Sequence, residues 1–395
     1  MEVPVFAPDG QLHSSPGYRE ASRAYYHPAT GLVVPEVPIV PRVEDVARAK
    51  ALLLDELLGE FPFVSQADRA QAMALGLLPY VRDLIGGPTP NHLIEAPVAG
   101  SGKGLLAQAL LLPGVGIHLG IVSQVTEDEE WRKLITARLK EGRPVILIDN
   151  VTRPLESGVL ASALTATTWE DRILGKSENV SLPVRCVFVT TANNPVLSTE
   201  IARRSVRIRL DPRVDRPWQR EGFKHPDLRQ WAEEHRGELV WAGLVLVRSW
   251  LAAGRPRPAI KPLGSYEDWS LVVGGVLEVA GIADFLGNLE ELYEASDLEG
   301  GCWRQLVGAW WEEYTGREVK ASDLFELAQG VEGLDFGGGS DRARRTSFGM
   351  QLRKQRDRVI GEYRILAAGK EQRASKWKLE LAHGSLFDER KGEPR

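Results

Sequence analysis

The segment Pro97-Val98-Ala99-Gly100-Ser101-Gly102-Lys103-Gly104 constrains this chain more than any other. It follows the apolar run His92–Ala96 and precedes Leu105–Leu112, which has helical character, so the local order reads strand, glycine-rich turn, helix. It aligns on the phosphate-loop pattern G-x-x-x-x-G-K-[ST]. Gly100 and Gly102 let backbone N–H groups turn inward around phosphate oxygens. Lys103 would reach the β- and γ-phosphates, and the following helix directs its positive end at them. Two positions depart from the pattern. Pro97 replaces the first Gly, which should alter the turn without abolishing the cradle. Gly104 replaces the Ser/Thr whose hydroxyl normally ligates magnesium; a water could fill that place, and weaker metal binding or slow turnover is the alternative. An ordinary glycine-rich turn is the alternative for GSGK in isolation.

Two more apolar runs end in polar residues of a complementary kind. Pro144–Ile148 runs into Asp149-Asn150 and Arg185–Thr191 into Ala192-Asn193-Asn194, with helical patterns over Asp128–Lys140 and Leu155–Thr165. Strands alternating with helices predict a parallel sheet covered by helices. Ligands bind such sheets at the carboxyl ends of the strands, where all three polar sets fall. Asp149 is then placed to hold magnesium through water, and Asn193 to polarise a γ-phosphate or an attacking water, with Asn194 as second choice. Hydrolysis also needs a carboxylate to orient water, yet Asn150 stands where that acid often follows the Asp. Glu130, before the second strand, is the first candidate and Glu156 the second; either reads equally well as a solvated helix acid. Arg203-Arg204 opens ARRSVRIRLD about ten residues past the third strand. An arginine there can complete a neighbouring subunit's site, with Arg204 slightly favoured over Arg203. A basic helix end is the alternative.

Composition narrows the setting. Hydrophobic residues make up 43% and charged residues 26%, a globular profile. The longest apolar stretch, Leu105–Val122, is broken by Gln108, Pro113 and His118, so no membrane span is expected. The start MEVPVFAPDG lacks a basic and an apolar leader region, which predicts no secretory signal. Cys186 and Cys302 are too few for a disulfide framework or a four-ligand zinc site, so a reduced, cytoplasmic protein is expected. The histidines show no metal-ligand spacing, and the tryptophans read mostly as packing residues. The net charge of -5 hides a division: residues 341–378 carry twelve Lys/Arg against four Asp/Glu. Such segregation predicts a surface for an anionic polymer, with a solvated helix face as the plain alternative. Arg342, Arg344, Arg345, Arg353, Lys354 and Arg356 are the expected phosphate contacts, additive and salt-sensitive.

Five regions are expected. They are a strand-rich segment over 1–42, a helical domain over 43–88, an α/β core over 89–212, a helical lid over 213–330 and a basic module over 331–395. In the second, Ser65 with Asp68 three residues on signals a helix start. In the last, Ser347–Val359 reads as helix, and Tyr363–Leu366 and Lys376–Leu381 as strands around a turn, a winged-helix-like order.

The stretches HLIEAPVAGSGKGLLAQAL, PVILIDNVTRPLESGVLASALTATTWEDRILG and CVFVTTANNPVLSTEIARRSVRIRLD together resemble the AAA+ ATPases, specifically the helicase module of phage and mobile-element replication proteins. FKHPDLRQWAEEHRGELVWAGLVLVRSWLAAG and TSFGMQLRKQRDRVIGEYRILAAGKEQRASKWKLELA look similar too, so the resemblance covers roughly residues 40–385. Many relatives carry a primase–polymerase domain ahead of that module, and no counterpart is expected in the roughly 90 residues before the phosphate loop. The resemblance implies an α/β P-loop AAA+ core with a helical lid and a small basic winged-helix-like domain. It implies ATP and Mg2+ as cofactors, and a homo-oligomer, usually hexameric, moving on single-stranded and forked DNA without a membrane. A separate primase or polymerase is a further conceivable partner. Ala99, Gly100, Ser101, Gly102, Lys103, Gly104 and Leu105 would cradle the nucleotide, and Asp149 would hold the metal. Lys103, Asp149, Glu130, Asn193, Arg203 and Arg204 would act in catalysis.

Between Asp149 and the third strand, Arg172–Gly175 and Val180–Pro183 can pair as a hairpin with Lys176 at its tip. This resembles hairpins that project into the channel of viral replicative helicases, which implies that Lys176 grips a phosphate with Arg172 in support. A surface hairpin with a solvated Lys is the alternative. Gly104 and Asn150 keep two other readings open. One is a non-helicase DNA-binding ATPase, such as a helicase loader or transposition regulator, using ATP as an assembly switch. The other is a transcription or copy-number regulator with a degenerate core.

Overall fold

The computed structural model describes residues 1–20, 24–116, 119–172, 179–371 and 374–382, and Lys176 lies outside them. The chain divides into two compact units, residues 1–296 and 297–395.

The first unit opens with two small antiparallel pairs, β1 (Val5–Phe6) with β2 (Leu12–His13) and β3 (Gly17–Arg19) with β4 (Ala24–Tyr26). Helix α1 (Val43–Lys50) continues as a wider π-helical stretch over Ala51–Leu57. Helix α2 (Gln66–Val81) starts at the capping box read from the sequence: Ser65 Oγ accepts from the Asp68 N–H at 3.2 Å, and the Asp68 carboxylate accepts from the Ser65 N–H at 3.0 Å.

The α/β portion then runs β5 (Asn91–Ala96), α3 (Lys103–Val115), β6 (Ile121–Ser123), α4 (Asp128–Lys140) and β7 (Val145–Val151). It continues through α5 (Gly158–Thr165), the hairpin β8 (Thr168–Arg172) and β9 (Asn179–Pro183), β10 (Val187–Asn193), α6 (Thr199–Ala202) and β11 (Ser205–Arg209). Five strands make one parallel sheet in the order β11-β5-β10-β7-β6. Helices cover both faces, which is why the central strands are nearly continuous apolar runs. Val145 and Leu147 pack on the side of α2 and α3, while Ile146 and Ile148 pack on the side of α4 and α5. Because β10 lies between β5 and β7, the glycine-rich loop, Asp149 and Asn193 emerge side by side at one edge.

Helices α7 (Leu228–Glu234), α8 (Arg236–Ala252), α9 (Glu267–Val279) and α10 (Leu289–Ser296) complete the unit. Trp241, Leu244, Trp269 and Val273 join the same core as α2 and α3. The N-terminal segment is strapped to α8, with the Arg248 guanidinium 5.0 Å from the Phe6 ring centre and Trp241 Nε1 donating to the Glu36 carbonyl at 3.1 Å. Residues 43–88 and the helices after β11 therefore share the sheet's own core.

The second unit contains α11 (Leu298–Tyr314), β12 (Val319–Lys320), α12 (Ala321–Gln329), α13 (Asp341–Lys354), β13 (Val359–Ile360), β14 (Tyr363–Glu371) and β15 (Ala374–Leu381). Its antiparallel sheet runs β12-β15-β14-β13. The unit starts well before the 330/331 boundary drawn from the sequence, for a packing reason: Trp303, Leu306, Trp310 and Phe325 from α11 and α12 share a core with Phe348, Ile365 and Trp377. Both cysteines are free; Cys186 is buried in the first unit and Cys302 half-buried in the second. Burial pushes the Cys186 thiol up to about 12. Among the described residues no helix is long and apolar enough to cross a membrane.

Candidate nucleotide-binding site

The loop between β5 and α3 takes the backbone course that its glycines permit. Gly100 and Gly102 have φ of 75° and 88°, left-handed values that a side chain would strain. Gly100 is also short of space, because a Cβ there would lie 3.0 Å from Trp218 Cε3. Gly104 differs: a Cβ would meet nothing within 4 Å, so neither φ nor packing demands glycine where the pattern asks for Ser/Thr. Lys103, the first residue of α3, is only 8% exposed. Its ammonium donates to Asn193 Oδ1 at 2.6 Å and to the Val98 carbonyl at 3.4 Å. Burial lowers the Lys103 pKa and the Asp149 charge partly restores it. A phosphate entering here would meet a cation already desolvated and aimed.

Asp149 lies near the end of β7, and Thr191 Oγ1 donates to its Oδ1 at 2.5 Å. The Asn150 N–H donates to the same hydroxyl at 2.8 Å. The structure thus gathers Lys103, Asn193, Thr191 and Asp149 at one sheet edge, as the strand-end reading required for three of them. It separates the two asparagines: Asn193 meets Lys103, whereas Asn194 accepts from Arg209 Nη2 at 3.1 Å. Arg209 also pairs with Glu95, a carboxylate buried at the end of β5 that the sequence reading passed over. Among the described residues, no group of three His, Cys, Asp or Glu could by itself hold a metal. One carboxylate is still enough for a magnesium ion brought in on nucleotide phosphates, since Mg2+ is commonly bound by one or two carboxylates plus phosphates and water. The donor set fits that mode, with Asp149 as the protein's contribution.

The acid expected at Glu130 is not drawn into this cluster. It sits on the exposed side of α4 and pairs with Lys133 at 2.7 Å, and Glu156 is exposed as well. Glu200 engages both candidate fingers. Arg203 Nη2 lies 2.9 Å from its carboxylate, and Arg204 Nη1 bonds that carboxylate and, at 2.8 Å, the Glu200 carbonyl. The Arg203 side chain is 55% exposed and that of Arg204 15%. Arg203 is therefore the more available of the two, the reverse of the order favoured from sequence.

A second half of the site went unread in the sequence. A cavity of about 230 Å³ opens beside the loop, lined by Phe61, Gly100, Leu105, Trp218, Phe223 and His225 among others. His225 stacks on Trp231 with ring centres 4.1 Å apart, and its Nε2 lies 3.1 Å from Glu56 Oε2. Lys224 and His225 together hold the Glu56 carboxyl below its usual range. An aromatic slot next to a glycine-rich loop of this course suits a flat heterocyclic base. Its walls come from residues 56–62 and 217–228, too far apart in sequence for any local pattern to join them.

The hairpin is present, with pairing from Thr168↔Pro183 to Arg172↔Asn179, nearer its base than was read from the sequence. Thr136 on α4 pins that base: its hydroxyl donates to Asp171 Oδ2 at 2.5 Å and accepts from Trp169 Nε1 at 2.8 Å. Arg172 is exposed at the last described pair. In the second unit Arg344 lies about 6 Å from the ring centres of Phe325 and Phe336, and Arg345 is bonded to Asp341 at 2.7 Å. Arg353 and Lys354, exposed at the end of α13, have no ion-pair partner among the described residues.

A glycine-rich phosphate cradle at the carboxyl edge of a helix-flanked, five-stranded parallel sheet defines an α/β protein with a P-loop core. No protein-family model matches the chain, and no curated protein matches it by sequence. Among solved structures it is similar to the apo A form of the NrS-1 C-terminal region, at 13% identity and a TM-score of 0.45, over 95% of this chain and 84% of that one. It is also similar to the SCCmec type IV Cch active helicase, at 9% identity and a TM-score of 0.38, over 96% of this chain and 76% of that one.

Proposed function

We propose that this protein is an ATP-dependent DNA helicase of the AAA+ kind, serving replication of a mobile element. The observation that carries the nucleotide half is the meeting of Lys103, Asn193 and Asp149 at one sheet edge beside an aromatic slot. ATP would place its base between Trp218 and Phe61 and its phosphates over Gly100–Leu105. Lys103 would exchange Asn193 Oδ1 for phosphate oxygen, which releases Asn193 to orient the attacking water. Magnesium, held by Asp149, would supply charge neutralisation on the phosphates. Arg203, with Arg204 behind it, would reach the site of the next copy in a homo-oligomeric ring, a hexamer on the family pattern. Arg172 and Lys176 would line the channel for single-stranded DNA, and Arg344, Arg345, Arg353 and Lys354 of a winged-helix-like module would add phosphate contacts. ATP hydrolysis by sized oligomers, with and without single-stranded DNA, tests this. Turnover that rises with DNA is expected, and ATP bound without turnover would refute the motor.

A second reading has its own support. The missing hydroxyl at Gly104, Asn150 in place of an acid, and Glu130 occupied by Lys133 all favour an ATP-bound assembly switch, as in a loader or regulator. Strand displacement on a forked duplex separates the two.

A further inference from the structure

The sheet holds a bulge at its functional edge. Thr190 pairs with Ile148 and Ala192 with Val151, so the single residue Thr191 stands opposite two, Asp149 and Asn150. Asn150 absorbs the extra residue at φ 53°, a left-handed conformation that Asn accepts more readily than most side chains. The bulge brings the Asn150 N–H and the Asp149 carboxylate to the same hydroxyl, at 2.8 and 2.5 Å. Thr191 is 1% exposed, so that hydroxyl has no access to bulk water. The backbone N–H can only donate and an ionised carboxylate can only accept, so the Thr191 proton is committed to Asp149 Oδ1. One carboxylate oxygen is thus fixed, and Oδ2 has no hydrogen bond among the described residues.

We propose that Thr191 is a positioning residue for magnesium, holding the Asp149 carboxylate in one orientation in a site whose loop lacks the hydroxyl at position 104. The inference rests on the nucleotide-site reading above. With a side-chain hydroxyl and a carboxylate both present, either could tolerate some freedom in the other. With the carboxylate alone, its orientation sets how well the ion is held. Outer partners of metal-binding groups typically change metal affinity by about 10–100-fold when removed.

The test is a magnesium titration of N-methylanthraniloyl-ATP binding to the full chain, with a parallel measurement in EDTA. Thr191→Val keeps the shape and loses the hydroxyl. It should raise the half-saturating magnesium concentration about 10-fold or more while leaving binding in EDTA unchanged. Thr191→Ser should titrate close to the wild type. If the valine variant does not melt as the wild type does, Thr191→Cys, a weak donor of similar size, is read instead and should show the same shift. An unshifted valine or cysteine variant, or a serine variant shifted as far as valine, overturns the proposal. A wild-type chain that binds the analogue neither with magnesium nor in EDTA overturns the nucleotide-site reading itself, a distinguishable failure.

Discussion

At the sheet edge, Lys103 holds Asn193 and Thr191 holds Asp149, through bonds of 2.6 and 2.5 Å between buried or half-buried groups. At the other candidate corner, Arg203 and Arg204 are tied to Glu200, a side chain 60% exposed on the four-residue helix α6. Three of this first set are positioned by parallel strands, where register leaves little freedom, and Lys103 by the start of α3. The second is held by ion pairs to an exposed glutamate, and the Arg203 pair, exposed on both sides, contributes only about 0–1 kcal/mol. Groups on paired strands are preset by the sheet; a group proposed to act on a neighbouring copy would have to be held loosely enough to leave.

The contrast breaks most sharply at the arginines. Arg203→Ala should lower ATP turnover about 10³-fold or more with nucleotide binding little changed, as expected for a finger supplied in trans. Mixing it with wild-type subunits should depress activity below the wild-type fraction; activity proportional to that fraction would show that the arginine acts within its own chain. A larger loss in Arg204→Ala would restore the order favoured from sequence. Lys103→Ala should cost turnover about 10²–10³-fold together with nucleotide binding, read from fluorescent-analogue titration. Unaltered binding would remove the loop from the site. Gly104→Thr tests whether the departure from the pattern limits the motor: a Cβ there meets nothing within 4 Å, and turnover at limiting magnesium should rise. No change, or a fall, would mean that the missing hydroxyl is not what limits turnover.

A further effect, on stability rather than turnover, concerns the sheet beneath the loop. His92 on β5 is fully buried with neither ring nitrogen hydrogen-bonded, its ring edge-on to Trp269, and burial lowers its pKa to about 3. The unfolded chain takes up a proton near pH 6.5 while the fold refuses it until about 3. This contribution to stability is therefore present above pH 6.5 and lost as pH falls toward 3, at about 1.4 kcal/mol per pH unit. His92→Phe keeps a ring against Trp269 and should lose that slope between pH 6.5 and 4 in urea denaturation. Equal slopes would mean that another group carries the acid sensitivity.

Much of the sheet was legible because its central strands announce themselves twice, as apolar runs and by the polar residues that end them. The capping box at Ser65 and Asp68 was legible for a similar local reason. Of the hairpin read as Arg172–Gly175 with Val180–Pro183, the second strand was placed correctly, whereas the first begins at Thr168. Strands β6 and β11 were not legible: β6 is three residues long, and β11, SVRIR, carries arginines that mask its alternation. The bulge at Asn150 could not be read, since nothing in VILIDNV says which residue will turn left-handed. The aromatic slot and the start of the second unit were missed because each depends on packing between distant segments. Glu130 drew attention by its place before β7, but on a helix that position faces solvent, and Lys133 one turn on takes the charge.

The two thiols make the molecule convenient to mark. Cys186, buried and with its pKa pushed up to about 12, has almost no thiolate at neutral pH, whereas Cys302 is half-exposed on α11. A maleimide dye added to the unaltered chain should attach first, and nearly alone, to the second unit. The DNA contact proposed for that unit could then be tested optically without engineering a single residue.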